Sequence, residues 1–276
     1  MNNLVLRTIT GVVFLAVMVA GILLDPLVCF LLFCFIQIQA LRVFYAMSLS
    51  DGLKFQQKTA VLTALAWRVL VFLFKVKGLD SAWFALCIVP LVLIPVSCIF
   101  HSDHSNLGSL GYVYAGLLYI ALPISLVPFL VIDGSVFDGT LLLSIFIVIW
   151  ISDVGAYCLG TAFGQKPDSK KLAPSISPKK SWWGFWGGVI LGTATAVGLH
   201  FLHWFDFNIL HSIAVGLIIS VGTVCGDLVE SLWKRYFHVK DSGNIIPGHG
   251  GMLDRFDSSL VAIPLASAYL AIFGLI

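Results

Sequence analysis

The chain has 276 residues, of which 59% are hydrophobic and only 11% are charged, and its mean hydropathy is +1.00. Soluble domains carry about 25% charged residues, and this chain has too few of them to cover its apolar surface. The net charge of +2 indicates no particular partner. The composition therefore excludes a soluble fold and indicates an integral membrane protein.

Nine continuous apolar segments follow one another along the chain, and each approaches the length that a helix needs to cross a bilayer. Apolar and polar residues do not alternate in them, which favours helices over the strands of a β-barrel. We therefore predict an all-α, polytopic membrane protein with about nine transmembrane helices. The predicted spans are residues 8–24, 26–47, 59–74, 82–100, 112–132, 140–163, 182–203, 208–226 and 259–275.

The distribution of lysine and arginine predicts the orientation. With nine spans and a cytoplasmic N-terminus, thirteen of the sixteen Lys and Arg residues fall at cytoplasmic ends or loops. Lys75 and Lys77 fall outside, and Arg68 lies within a span. The loop 101–110 has no basic residue although this scheme makes it cytoplasmic, which leaves a re-entrant or misassigned segment among spans three to five as an alternative.

The character of the chain changes beyond residue 140. Residues 1–140 are apolar spans joined by short polar loops, and we interpret them as a membrane-spanning scaffold. Residues 141–276 carry acidic residues inside spans, and two loops, 164–181 and 227–258, hold nine of the sixteen basic residues. We interpret this second part as the catalytic half, with both loops in the cytoplasm.

Asp153 lies in the apolar segment IVIWISDVGAYCLG. An ionised carboxylate facing lipid would cost roughly 3 kcal/mol or more, so the side chain must face protein, water or a cation. Helical spacing places Asp153, Tyr157 and Gly160 on one face. The pattern suggests a functional site, and the alternative is a structural carboxylate paired with a lysine.

A second acidic pattern begins at the end of a predicted span. Asp227, Glu230 and Lys234 lie at i, i+3 and i+7 and share one helical stripe, and Glu230 is the only glutamate of the chain. Such a stripe is usually a solvated helix face. Here the acids begin where the helix leaves the hydrocarbon, which favours a functional role.

A glycine-rich segment, KDSGNIIPGHGGMLDRFDSS, precedes the last span. Glycines such as Gly250 and Gly251 expose backbone N–H groups that can approach phosphate oxygens closely. Lys240, His249 and Arg255 add basic donors.

Asp254 and Asp257 then form another acidic stripe as the last span starts. Two carboxylate stripes near bases and glycines suit a phosphate-bound Mg²⁺, which takes a few hard oxygen ligands from the protein and others from the substrate.

Lys179 and Lys180 stand just before the aromatic residues Trp182, Trp183 and Trp186. Positive-inside topology with an aromatic belt explains this pattern without any catalysis. The alternative is a site for an anionic lipid headgroup or a nucleoside triphosphate.

From residue 231 to residue 257 the chain reads SLWKRYFHVKDSGNIIPGHGGMLDRFD, which resembles the C-terminal signature of the phosphatidate cytidylyltransferases, also called CDP-diacylglycerol synthases. Trp233 is the one departure, where the family carries a smaller apolar residue. Residues 153–160 are similar to the family's D-x-x-A-Y-x-x-G. SPKKSWWG is similar to its S-P-K-K-T-x-E-G, with Ser181 for the threonine and Trp183 for the glutamate.

The resemblance implies that CTP and phosphatidate react to give CDP-diacylglycerol and pyrophosphate with Mg²⁺, and we allow for a second, monovalent cation. On this resemblance we hypothesise that the catalytic residues are Asp227, Asp254, Lys234, Arg255 and His249. We assign the metal to Asp227, Asp254, Asp257 and Glu230. The expected substrate-binding residues are Lys179, Lys180, Ser177, Arg235, Lys240, Gly250, Gly251, Asp153 and Tyr157.

The expected partners are CTP, phosphatidate, membrane lipid and a second copy of the chain in a homodimer, and we expect no nucleic acid. We place the protein in a bacterial inner (plasma) membrane with its active site facing the cytoplasm. Two other functions stay open: a CTP-dependent kinase of a membrane alcohol, and a cation-coupled transporter in which the acids form a cation path.

Overall fold

A computed structural model of the chain describes residues 3–49, 53–100, 107–134, 136–240, 242–243 and 250–276, with the side chains of residues 3–7 left aside. These residues divide into two compact units. Unit 1 comprises Met1–Phe137 with Asp241–Leu253, and unit 2 comprises Asp138–Lys240 with Asp254–Ile276.

Unit 1 is built from apolar helices. They are α1 (Asn3–Leu23), α2 (Pro26–Ser48), α3 (Lys54–Lys77), a 3₁₀ turn (Ser81–Cys87) that continues into α4 (Ile88–Cys98), another 3₁₀ turn (Leu107–Ser109), α5 (Leu110–Gly116), a π-helical turn (Leu117–Ala121), α6 (Leu122–Ser125) and α7 (Val127–Val131). Strands β1 (Ile132–Asp133) and β2 (Val136–Phe137) pair antiparallel after them.

The irregular segment from residue 107 to residue 131 is held by polar side chains of α2 and α3. Pro128 has no N–H, so the Ile124 carbonyl is free to accept a hydrogen bond of 2.7 Å from the Arg68 guanidinium. Tyr45 donates to the Val113 carbonyl at 2.8 Å, and Gln37 donates to the Ala121 carbonyl. Arg68, the basic residue within a predicted span, is thus fully buried and supports a broken helix.

Unit 2 contains α8 (Thr140–Ala162), the hairpin strands β3 (Lys171–Ala173) and β4 (Ser177–Ser181), α9 (Trp182–Phe201), α10 (Ile209–Tyr236) and α11 (Leu253–Ile272), of which Leu253 belongs to unit 1. Strands β3 and β4 pair antiparallel, with Lys171 opposite Ser181. The hairpin occupies most of the predicted loop 164–181.

Glycines let α8 and α9 approach at backbone contact. A Cβ atom on Gly187 would lie 2.6 Å from the Gly155 carbonyl oxygen, and one on Gly155 would lie 2.6 Å from the Gly187 oxygen. Small residues at a helix interface permit this approach in membranes, where packing drives helix association. The contact fixes the position of α8 relative to the start of α9.

Glycines also join α10 to α11. A Cβ atom on Gly222 would lie 2.9 Å from the Cα of Ala262, and one on Gly226 would overlap the Asp257 carbonyl oxygen. The residue after Gly226 is Asp227. The close approach therefore brings the acidic stripes of two helices to the same end of unit 2.

The all-α, polytopic class is confirmed. Every predicted span corresponds to a helix or a broken helix, and within the described residues seven helices are long and apolar enough to cross a membrane. The last helix carries Asp254 and Asp257 near its start and is not among the seven. The number nine and the cytoplasmic N-terminus stay predictions.

The predicted loop 227–258 is shorter than expected, because α10 continues to Tyr236 and α11 begins at Leu253. This extension of α10 contains the predicted helical stripe, and Ser231 and Lys234 stabilise it by bonding to the carboxylates one turn earlier. Residues 241–253, which the sequence analysis grouped with the second half, belong to unit 1. Residues 101–106, in the predicted loop without basic residues, lie outside the described residues.

The glycine contact between α8 and α9 predicts a stability difference between two similar substitutions. Gly187→Ala should lower the melting temperature in detergent, because the added methyl group overpacks the interface at a cost of about 1–3 kcal/mol. Gly198→Ala on the same helix meets no atom within 4 Å and gains helix propensity, so its melting temperature should be unchanged or higher. Equal melting temperatures for the two variants would contradict the close approach.

Candidate active site in unit 2

A cleft of about 650 Å³ lies within unit 2, between the ends of its helices and the β3–β4 hairpin. Its volume is in the usual range for small-molecule sites. Helix α8, the hairpin, α9, α10 and α11 all contribute to its wall. The charged residues that line it, with Tyr157, are Asp153, Lys179, Lys180, Asp227, Asp254 and Asp257.

Helix α8 presents the same face to the cleft that the sequence pattern predicted. Asp153, Ala156, Tyr157 and Gly160 recur at helical spacing and all line it. The opposite side of this helix turn, at Gly155, packs against α9. Asp153 therefore faces a space that can hold water or cations, which removes the cost of exposing a carboxylate to lipid.

Lys180 and Asp227 form an ion pair across the cleft. The Lys180 Nζ atom lies 2.7 Å from Asp227 Oδ2, and both side chains are partly exposed. The Ser231 hydroxyl donates to the other oxygen, Oδ1, at 3.3 Å. The hairpin is thus connected to α10 through the acid that we predicted as a metal ligand.

Lys234 joins α10 to α11 through a shared ammonium group. Its Nζ lies 2.5 Å from Glu230 Oε2 and 2.9 Å from Asp254 Oδ1. Glu230 is 1% exposed and does not line the cleft, and among the described residues Lys234 is the base that pairs with it. In this arrangement Glu230 neutralises Lys234 and does not face the cavity.

The acids of the cleft offer hard oxygen atoms to a cation. Asp257 Oδ1 accepts the Ser258 N–H at 2.7 Å, and Asp227 and Asp254 line the same cavity. Among the described residues, no group of three or more His, Cys, Asp or Glu side chains is arranged to hold a metal. Mg²⁺ is commonly held by one or two carboxylates together with water and substrate phosphates, so the donor set fits this ion.

Some predicted site residues lie away from the cleft wall. Arg235 is exposed and donates from Nε to the Ile176 carbonyl at 3.3 Å, in the turn of the hairpin. Ser177 begins β4, opposite Ala173. Lys240 and Arg255 are exposed.

The glycine-rich loop is described only in part. Gly250 and Gly251 belong to unit 1, and Gly250 has a left-handed backbone with φ of 82°. His249 lies outside the described residues.

Trp183 packs against an aromatic neighbour and does not line the cleft. Its ring centroid lies 5.4 Å from that of Phe163, and the Lys166 ammonium lies 5.5 Å from the Phe163 ring. Trp182 and Trp186 are also exposed. Their exposure is compatible with the aromatic belt, which stays a prediction, while the adjacent lysines line the cavity.

Sequence reasoning missed Gln165 and Ser181, which both line the cleft. Ser181 caps α9 by accepting the Gly184 N–H at 3.2 Å, and a serine before an apolar run is a recognisable N-cap signal. Gln165 carries no such signal, because its amide bonds to the backbone carbonyls at positions 160 and 179 and to the side chain of Lys171, contacts that the local sequence does not reveal.

Comparison with known proteins gives consistent matches. The model of the cytidylyltransferase family matches residues 5–273. A protein of Staphylococcus haemolyticus named phosphatidate cytidylyltransferase is 41% identical over 59% of this chain and 57% of its own length. A protein of the same name from Haemophilus influenzae is 46% identical over 47% of this chain and 45% of its own length. Another, from Bacillus subtilis, is 43% identical over 46% of this chain and 46% of its own length. The chain thus matches about half the length of these relatives.

The shared ammonium of Lys234 predicts a large effect on stability. Lys234→Met should remove the ammonium that pairs with the buried Glu230 carboxylate and destabilise the protein by roughly 3 kcal/mol, as expected when one partner of a buried pair is removed. Thermal unfolding in detergent measures the change. Lys170→Met, at an exposed position of the neighbouring loop, is the control and should leave the melting temperature unchanged; equal effects would show that the Lys234 pairs do not stabilise unit 2.

Proposed function

Because the chain belongs to the cytidylyltransferase family, we propose that it transfers the cytidylyl group of CTP to phosphatidate and forms CDP-diacylglycerol and pyrophosphate. The observation that supports this most directly is the cleft of unit 2, where lysines of a hairpin face carboxylates of three helices in a membrane protein. The two reactants are a polyanion from water and an anionic lipid, so their site must lie where a membrane helix ends.

The reaction needs no covalent bond to the protein. An oxygen of the phosphatidate phosphate attacks the α-phosphorus of CTP, a new P–O–P bond forms, and the bond to the β-phosphate breaks with release of pyrophosphate. Both reactants carry negative charge, so catalysis consists of bringing the phosphates together and stabilising the charge on the leaving group.

The lysines of the cleft supply part of this stabilisation. Lys179 and Lys180 bind phosphate oxygens of CTP in our proposal, since both line the cavity on the hairpin side. In the structure the Lys180 ammonium is paired with Asp227. This pair places a cation within reach of anionic oxygens that enter the cleft.

Asp227 and Asp254 would hold Mg²⁺, with Asp257 beside them, because all three line the cavity, Asp227 from α10 and the other two from the first turns of α11. The chemistry that Mg²⁺ would supply in this place is positive charge against the negative charge of the phosphates. Lys234 keeps Asp254 close to α10, and Glu230 keeps the Lys234 ammonium in place.

The lipid would enter from the exposed face of α8, where Tyr157 lines the cleft and is 72% exposed. We further propose a bacterial inner membrane and a cytoplasm-facing cleft, supported by the bacterial relatives and by the basic residues of the hairpin and of the end of α10. Homodimeric assembly stays a prediction.

The products identify the reaction. Purified protein in mixed micelles with phosphatidate, Mg²⁺ and CTP labelled at the α-phosphate should transfer the label to lipid and release one pyrophosphate for each CDP-diacylglycerol. In a parallel reaction with a membrane alcohol in place of phosphatidate, release of labelled CDP together with the phosphorylated alcohol would instead identify a kinase. Divalent-dependent flux through proteoliposomes without CTP would identify a transporter.

The carboxylates of the cleft should be required for turnover. Asp227→Asn and Asp254→Asn should each lower kcat/KM by about 10²–10³-fold, the range seen when an electrostatic stabiliser of the transition state is removed. Asp206→Asn, an exposed carboxylate before the start of α10, is the matched control and should keep normal activity. Near-normal product formation by both cleft variants would overturn the metal assignment.

A further inference from the structure

The hairpin that carries Lys179 and Lys180 needs support from the rest of unit 2. It comprises three residues in β3 and five in β4, and an isolated two-stranded hairpin is at best marginally stable in water. Without anchoring contacts, the two lysines would not hold fixed positions in the cleft. The contacts that hold β4 therefore decide where these ammonium groups lie.

Gln165 provides such a contact with its side-chain amide. Its Nε2 donates to the Lys179 carbonyl at 2.9 Å and to the Gly160 carbonyl, near the end of α8, at 3.2 Å. Its Oε1 accepts a hydrogen bond of 3.2 Å from Lys171 Nζ on β3. Since a lysine ammonium can only donate, it must face the amide oxygen, and the amide nitrogen must then face the two carbonyls.

One amide therefore connects three elements: the end of α8, strand β3 and strand β4. Lys171 strengthens the junction by also donating to the Gly164 carbonyl at 2.8 Å. The bond to the Lys179 carbonyl holds the backbone from which the Lys179 side chain reaches the cleft. The bond to the Gly160 carbonyl connects that backbone to α8, the helix that carries Asp153 and Tyr157.

Gln165 is exposed and lines the cleft itself. Hydrogen bonds of an exposed amide contribute little to overall stability, because water replaces them when they are lost. The removal of these bonds should move β4 without unfolding unit 2. This separates a positioning role from a purely structural one.

We propose that Gln165 is a positioning residue. It holds the backbone of Lys179 so that the Lys179 ammonium lies where a phosphate of the nucleoside triphosphate binds in the cleft. The inference rests on the proposed function, because Lys179 meets a triphosphate only if CTP binds here. The phosphate that Lys179 would contact carries negative charge both in the bound substrate and in the transition state. Its displacement should therefore raise KM for CTP more than it lowers kcat.

The variant Gln165→Met removes all three hydrogen bonds while keeping an uncharged side chain of similar length. We expect a rise of about tenfold in KM for CTP, with kcat within about threefold of wild type and KM for phosphatidate unchanged. Ser175→Ala, an exposed position in the hairpin turn, is the control and should leave all three constants unchanged.

A double-mutant cycle tests whether Gln165 acts through Lys179. In a Lys179→Met background, Gln165→Met should change KM for CTP by less than about twofold, because the group that it positions is already gone. An undiminished effect in that background, or an unchanged KM in the single variant, would overturn the proposal.

Hydrogen exchange without substrate separates this proposal from the proposed function. Gln165→Met should speed amide exchange in residues 177–181, while the exchange of α9 beyond the first turn stays the same. If exchange is faster in the variant but the wild-type protein forms no cytidylyl product, the anchor stands and the function is refuted. Unchanged exchange with normal wild-type activity would refute the anchor alone.

Discussion

Carboxylates of three largely apolar helices converge on one cleft, and the arrangement of unit 2 depends on neutralising their charge. An unpaired carboxylate at this depth is unfavourable, so each acid needs a cation, a donor or a cavity that admits water. Lys234 serves Glu230 and Asp254, and Lys180 serves Asp227. The same requirement explains why the site would bind both Mg²⁺ and phosphate in our proposal. The cation neutralises the carboxylates, and the phosphates neutralise the cation and the lysines.

Close helix packing determines which acids share a site. Glycines at positions 155 and 187 bring α8 against α9, and those at 222 and 226 bring α10 against α11. A larger residue at these contacts would separate the helices and lengthen the ion pairs between them. Packing and electrostatics are therefore linked, because the distance between two backbones fixes the distance between the charges at their ends.

Unit 1 solves a related problem with backbone carbonyls instead of carboxylates. Pro128 leaves the Ile124 carbonyl without its helix donor, and an apolar solvent offers none. Arg68 of α3 supplies that hydrogen bond, while Gln37 and Tyr45 of α2 add hydrogen bonds to other carbonyls of the same segment. A polar residue inside an apolar span can thus have a structural role, which the sequence pattern alone did not distinguish from a functional one.

The sequence by itself determined the membrane class, because hydrophobicity summed over twenty residues decides whether a helix enters a bilayer. It also determined the chemical types at the site, since Asp153, Asp227, Asp254 and the hairpin lysines stand out by charge in apolar surroundings. Only the tertiary structure decided which acids face the cleft, that Glu230 pairs with Lys234, and that Gln165 holds β4. These features depend on contacts between residues far apart in the chain, and such contacts follow from helix packing and not from local spacing.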